Sequence, residues 1–134
     1  MTGTDRAREL LGRAPYVLLT TFRRDRTPVG TPVWVAPLGD GRIVLVTGAT
    51  TGKVKRLRRD PQVLVAPCSA RGRPHGRPVD ARAVVLDEQD LPRVERALAA
   101  KYGWRFRAYG AVERLLERWG RPGHRVAVAV DVTG

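Results

Sequence analysis

The chain has 134 residues and a net charge of +12 at neutral pH, with 25 Lys and Arg residues against 13 Asp and Glu residues. This length fits a single domain, 1–134, whose core can fold without disulfides, and the one cysteine, Cys68, allows none within the chain. The Val- and Leu-rich runs exclude a mainly disordered chain, and no uncharged run reaches the roughly 18–20 residues of a membrane-spanning helix.

Six segments rich in β-branched and apolar residues are predicted to be strands. In chain order they are Pro15–Phe22, Val29–Pro37, Arg42–Gly48, Gln62–Cys68, Val79–Leu86 and His124–Thr133. Pro32 has no amide hydrogen, which places the second strand at a sheet edge or at a bulge. The third strand contains a continuous Ile-Val-Leu-Val run, which is typical of a strand buried on both faces.

Four segments outside these strands carry helical signals. In chain order they are Asp5–Leu11, the basic segment that starts at Thr50–Thr51, the segment after Asp90, and Trp104–Trp119, whose two tryptophans are assigned to helix packing. Thr4 and Asp90 are predicted N-caps, and Gly12 and Gly103 are predicted helix ends. The basic helix is predicted to end before Pro61, because the residue before a proline is pushed out of the α region.

The order of these elements favours a mainly β (α+β) fold. Meandering strands with short helices at the breaks indicate a small antiparallel barrel with helices on its rim, not a series of βαβ units. The spacing of Gly48, Gly52 and Lys53 does not match a nucleotide-binding P-loop. Ser69–Pro78 is predicted to be a loop rich in Gly, Arg and Pro, and no interdomain linker is present.

The strongest chemical signal lies between Thr47 and Arg59, where a strand leads into the basic helix. A helix that starts at Thr50–Thr51 presents amide N–H groups and its positive dipole end, and both favour a phosphate. The Thr hydroxyls add hydrogen-bond donors, Gly52 permits close approach, and Lys53 adds a full charge. The alternative interpretation is a solvated basic helix face in an arginine-rich protein.

The remaining candidate residues carry weaker signals. Cys68 is interpreted as a small buried apolar residue in preference to a nucleophile, and the cysteine and histidines lack metal-ligand spacing, so no metal site is expected. Trp34 either lines a ring pocket or fills the core. Arg71, Arg73 and Arg77 either bind an anionic substrate or form a solvated cationic loop. No pair of carboxylates has spacing that indicates acid–base catalysis, and no catalytic residue is assigned.

Five stretches together resemble the pyridoxamine 5′-phosphate oxidase-like split β-barrel family, and most closely its branch that uses the deazaflavin coenzyme F420. They are Tyr16–Phe22, Thr27–Trp34, Val46–Gly48, Lys53–Pro61 and Val63–Cys68. The resemblance implies a six-stranded split barrel of the FMN-binding type that pairs as a homodimer, with the cofactor in a groove at the interface. It also implies an oxidoreductase that transfers a hydride between the deazaflavin and an unsaturated or conjugated small molecule.

The resemblance implies cofactor-binding residues by position. They are Thr31, Pro32, Val33 and Trp34 beneath the ring; Thr47, Gly48, Thr50, Thr51, Gly52 and Lys53 at the phosphate, with Lys55 and Arg56 beside it; and Pro67 and Cys68 near the ring or the partner chain. Two features depart from the oxidases proper: no cation lies between Val29 and Val35, where those enzymes have a basic pair, and their C-terminal substrate-binding motif is missing. Both departures weaken the case for FMN.

The net charge independently suits a coenzyme that carries a phosphate and a polyglutamate tail. An FMN-binding oxidase of the same fold is one alternative, and a cofactor carrier without turnover is another. A nucleic-acid-binding domain is a third alternative, although aromatic residues are only 6% of the chain and do not interleave with the basic helix as base stacking requires. The lone cysteine and the polar N-terminus predict a cytoplasmic protein without a signal peptide or membrane partner.

Overall fold

The computed structural model describes residues 3–108 and 124–133, which include seven strands and three α-helices of eight or more residues. The strands are β1 (Val17–Phe22), β2 (Pro28–Val33), β3 (Ala36–Pro37), β4 (Ile43–Gly48), β5 (Gln62–Pro67), β6 (Val79–Val85) and β7 (Arg125–Val132). The helices are α1 (Gly3–Arg13), α2 (Gly52–Arg59) and α3 (Leu91–Tyr102), and a 3₁₀ turn, Glu88–Asp90, precedes α3. Residues 104–108 are also helical. None of the described helices is long and apolar enough to cross a membrane.

The strands form one antiparallel sheet in the order β2-β1-β5-β6-β7-β4-β3. β2 and β3 therefore lie at opposite ends of the sheet, although only Trp34 and Val35 separate them in the chain. Three Cα–Cα steps of about 3.8 Å span at most about 11 Å. The sheet must curl until its two ends nearly meet, which confirms the prediction of an antiparallel split barrel. Pro32 lies in the end strand β2, as its missing amide hydrogen predicted.

The prediction of six strands was wrong, because the segment Val29–Pro37 is two strands and not one. β2 ends at Val33, and the chain turns at Trp34 and Val35 to pair with the other end of the sheet as β3. The sequence gives no local signal for this turn, because Trp34 and Val35 are both typical strand residues and neither is a glycine. The count of seven therefore follows from the barrel's closure and not from a local sequence signal.

The C-terminal end of α3 supplies hydrogen-bond partners for the backbone at this turn. The Tyr102 hydroxyl accepts a hydrogen bond from the Val35 amide (3.2 Å) and lies 3.0 Å from the Val35 carbonyl oxygen and 2.9 Å from that of Pro15. The Lys101 ammonium donates to the carbonyl oxygens of Val35 and Ala14, both at 2.6 Å. Burial lowers the pKa of Lys101 to about 8, so this donor remains charged at neutral pH. The backbone groups that a strand ladder would otherwise pair are thus satisfied by α3.

The sheet is packed on both of its faces. One core fills the barrel and includes Ile43 and Leu45, and the other lies beneath α3 and includes Val44 and Leu98. Successive residues of β4 thus alternate between the two cores, as predicted for a strand buried on both faces.

Several predicted helix boundaries differ from the structure. Gly12 does not end α1, which continues to Arg13; this glycine is buried, and a Cβ there would lie 3.4 Å from Pro37. Thr4 lies inside α1 and so is not its N-cap. Asp90 precedes α3 without a side-chain capping bond. Trp104 is 76% exposed among the described residues, which does not support its assignment to helix packing, and Trp119 lies outside those residues.

Substitution Tyr102→Phe should lower the free energy of unfolding by about 1–3 kcal/mol, because it leaves buried backbone groups of Val35 with fewer partners. Urea denaturation followed by circular dichroism measures the change. Tyr16→Phe is the matched control, because the Tyr16 hydroxyl has no hydrogen bond within residues 3–108 and 124–133. This variant should lower the free energy of unfolding by less than about 0.5 kcal/mol. Equal losses for the two variants would contradict the role assigned to Tyr102.

Candidate functional site

A cleft of about 420 Å³ opens beside the turn between β2 and β3. Its walls come from both ends of the sheet, from α3 and from the start of α2. The lining residues are Tyr16, Pro32, Val33, Trp34, Val46, Thr47, Gly48, Thr51, Lys53, Ala70, Leu98 and Phe106. The cleft therefore combines an apolar wall with a polar end at the β4–α2 junction.

Half of the residues predicted to bind a cofactor line this cleft. They are Pro32, Val33, Trp34, Thr47, Gly48, Thr51 and Lys53. The others lie outside its lining: Thr31, Thr50, Gly52, Lys55, Arg56, Pro67 and Cys68. The structure thus brings the end of β2 and the β4–α2 junction together around one cavity.

Trp34 forms part of the apolar wall and is held by α3. Its ring stacks on the ring of Tyr102, with centroids 4.8 Å apart and an interplanar angle of 13°. Tyr102 is itself fixed by the hydrogen bonds to Val35 described above. Burial raises the pKa of Tyr102 to about 12, so the phenol stays neutral and does not act as a base at neutral pH. Trp34 lines the cleft and also packs, partly buried, against the core beneath α3, so it contributes to the core, and its contact with a cofactor ring stays a prediction.

The polar end of the cleft is built by the turn into α2. Thr51 is the N-cap: its hydroxyl accepts a hydrogen bond from the Val54 amide (3.4 Å) and donates one to the Gly48 carbonyl (3.0 Å). This hydroxyl is therefore occupied, and it is not the additional phosphate donor that the sequence suggested. The first-turn amides of Gly52 and Lys53 have no acceptor within the helix. Thr47 adds a hydroxyl inside the cleft.

Two cations lie close together at this polar end. Burial, with a smaller contribution from the charge of Arg56, lowers the pKa of Lys53. Arg56 donates from Nε to the Thr21 hydroxyl (2.6 Å), and its Nη1 lies 2.8 Å from where a Cβ on Gly52 would be. Within the described residues, neither cation forms an ion pair with a carboxylate. Lys53 thus lines the cleft, and Arg56 adds a second positive charge beside it from outside the lining, without a carboxylate partner for either in the described residues.

Pro67 is the last residue of β5 and Cys68 follows it, and neither is among the residues that line the cleft. Cys68 is 3% exposed, and burial raises the pKa of its thiol. Both facts agree with its interpretation as a small buried apolar residue.

Sequence reasoning missed five residues of the cleft. They are Tyr16, Val46, Ala70, Leu98 and Phe106. Leu98 lies in a segment that the sequence predicts only to be a helix, and Tyr16 lies in one that it predicts only to be a strand. These residues come from distant parts of the chain, so no local motif could have grouped them.

The family profile described as pyridoxamine 5′-phosphate oxidase matches residues 4–133. The chain belongs to this family. The family is one of oxidoreductases, and its split barrel agrees with the fold described above. No curated protein matches the chain.

Solved structures extend the likeness at the level of the fold. A conserved hypothetical protein of Mycobacterium tuberculosis, Rv2991, is 23% identical with a TM-score of 0.68, and the match covers 100% of this chain and 82% of that one. A FAD-binding protein of Mesorhizobium loti is 14% identical with a TM-score of 0.60, covering 100% and 90%. A structure named F420 reductase is 20% identical with a TM-score of 0.55, covering 100% and 96%.

If Cys68 is a core residue of this oxidase-family barrel, its thiol should react with a disulfide reagent about 100-fold more slowly in the native protein than in urea-unfolded protein. The physical reason is that the thiol must first be exposed and ionised. The release of the coloured thiolate from Ellman's reagent measures both rates, and since the chain has one cysteine no other thiol contributes. Comparable rates would show that Cys68 is accessible.

Proposed function

We propose that the protein is an F420-dependent oxidoreductase that acts as a homodimer and binds the coenzyme in this cleft. The observation that supports it most strongly is the pair formed by Lys53 and Arg56. Two neighbouring cations with no described carboxylate partner raise the local positive potential, and a bound phosphate would relieve it.

The apolar wall is the second support for this assignment. Pro32, Val33 and Trp34 contribute apolar side chains to the cleft lining, and Tyr102 holds the Trp34 ring in place by stacking. A planar heterocycle would contact this wall while its phosphate lies near Lys53, Thr47 and the first amides of α2. When bound, the deazaflavin supplies the hydride, and the protein's residues bind and orient it and exclude water.

The net charge of +12 supports F420 in preference to FMN. A polyglutamate tail is attracted by a strongly basic domain, whereas FMN carries no such tail. One neighbour by structure is named an F420 reductase and another a FAD-binding protein, so tricyclic cofactors are associated with this fold. The reaction expected from the bound coenzyme is reduction of an unsaturated or conjugated small molecule.

Substitution Lys53→Gln should weaken F420 binding by at least tenfold, which is about 1.4 kcal/mol, because it removes the desolvated charge at the phosphate. Quenching of F420 fluorescence on titration with protein measures the affinity. The matched control is Arg58→Gln, on the exposed part of the same helix and outside the cleft lining, which should change the affinity less than about threefold. Equal affinities of wild type and Lys53→Gln would refute the phosphate assignment.

The affinity for F420 should also depend on pH through Lys53. The pKa of this group is lowered, so its ammonium is present below that pKa and is lost as the pH rises through it. As the pH is raised, F420 binding should therefore begin to weaken at a lower pH than it would if Lys53 had the pKa of an ordinary lysine. Lys53→Arg, which stays charged, should keep its affinity over the same range. A wild-type profile that is flat up to pH 10.5 would contradict this assignment.

FMN and nucleic acid are tested in the same titrations. Tighter binding of FMN than of F420 would favour the oxidase alternative. Nucleic-acid binding would appear as affinity for an oligonucleotide that falls steeply with salt. Two of the basic side chains of α2 are already engaged with β1, Arg56 on Thr21 and Arg59 on the Phe22 carbonyl, so this helix does not present an uninterrupted cationic face.

A further inference from the structure

The segment between β5 and β6 contains an ordered hairpin at residues 69–75. The amide of Ser69 donates to the Arg73 carbonyl and that of Gly72 to the Ser69 carbonyl, both at 2.9 Å, and the amide of His75 donates to the Pro67 carbonyl at 2.8 Å. The Ser69 hydroxyl accepts from the Arg73 amide at 3.1 Å. This segment, predicted to be a loop, thus has a defined backbone shape, which we call the 69–75 hairpin.

The 69–75 hairpin lies at the edge of the cleft. Ala70 is one of the cleft's lining residues. Gly72 has a φ of +87°, a conformation that favours glycine, and a Cβ there would lie 3.6 Å from both Leu18 and Pro32. Since Pro32 also lines the cleft, the hairpin tip rests directly on the cleft's β2 wall.

The hairpin carries two exposed arginines, Arg71 and Arg73, on either side of Gly72. Together with Ser69, Gly72 and Pro74 they line an open hollow of about 680 Å³. No Asp or Glu occurs between positions 61 and 79, and neither arginine forms an ion pair with any residue of 3–108 or 124–133. The hollow is therefore a positively charged surface whose backbone is held in place next to the cleft.

We propose that the 69–75 hairpin binds a carboxylate of the substrate, so that the enzyme acts on conjugated carboxylic acids. This inference rests on the proposed function, because it needs a reducible group in the cleft. A guanidinium matches the planar geometry of a carboxylate and binds it with two parallel hydrogen bonds. Because Ala70 and Arg71 are adjacent in the chain, one small molecule can reach the cleft with its conjugated part and the arginines with its charge.

The test compares two aromatic probes of similar shape, 4-nitrobenzoate and 4-nitrobenzamide, in which a carboxylate is replaced by a neutral amide, by quenching of tryptophan fluorescence. The wild-type protein should bind the acid at least about tenfold more tightly than the amide. The double variant Arg71→Gln/Arg73→Gln should reduce this ratio to less than about threefold. The matched control, Arg77→Gln/Arg82→Gln, removes the same charge from exposed positions outside the hollow and should keep the wild-type ratio.

F420 with and without its glutamate tail distinguishes a substrate carboxylate from those of the coenzyme. Both forms should bind the Arg71→Gln/Arg73→Gln variant as they bind the wild type. Loss of affinity for the tailed form alone would assign the arginines to the coenzyme's tail and overturn the proposal. Equal binding of acid and amide by the wild type, or a ratio that survives in the double variant, would also overturn it.

Failure of the cofactor proposal gives a different result. In that case Lys53→Gln would leave F420 binding unchanged, whereas the acid-to-amide ratio would still depend on Arg71 and Arg73.

Discussion

The structure depends on how the backbone at Trp34 and Val35 is satisfied as it crosses from one end of the sheet to the other. The crossing interrupts the strand ladder at a buried residue, and an unpaired backbone group there would cost about 1–3 kcal/mol. The end of α3 supplies the partners, a phenol from Tyr102 and an ammonium from Lys101. These contacts close the barrel and also place Trp34, so the same interactions that stabilise the fold build the cleft's apolar wall.

A second constraint is electrostatic and acts at the other end of the cleft. Lys53 is partly buried beside Arg56, an arrangement that disfavours its charged form and is reflected in its lowered pKa. Arg56 is fixed by Thr21 and lies against Gly52, so it cannot easily move away from Lys53. Two neighbouring cations repel each other, and the proposed phosphate would relieve this repulsion. The apolar wall and the cation Lys53 lie in the same cleft, and the proposed binding of a planar molecule with a phosphate depends on both.

Much of this architecture could be predicted from the sequence, where the signal was local. The missing amide hydrogen of Pro32 indicated an edge strand, the Ile43–Val46 run indicated burial on both faces, and the Thr-Thr-Gly-Lys segment indicated the start of a basic helix. The turn at Val35 could not be predicted, because its partner Tyr102 lies 67 residues away. For the same reason Leu98 and Phe106 could not be assigned to the cleft. The sequence placed Thr51 at the helix start. Only the structure shows that its hydroxyl is already hydrogen-bonded to Gly48 and Val54.

The position of Trp34 has a consequence for how such a protein can diversify. Because the tryptophan belongs both to the barrel's closure and to the cleft, changes at this wall disturb folding together with ligand contacts. Arg71 and Arg73 of the 69–75 hairpin are exposed and their side chains support no core, so these positions can vary without that penalty. New specificities within this scaffold should therefore arise by mutation of the hairpin, while the aromatic wall and its tyrosine support remain constant.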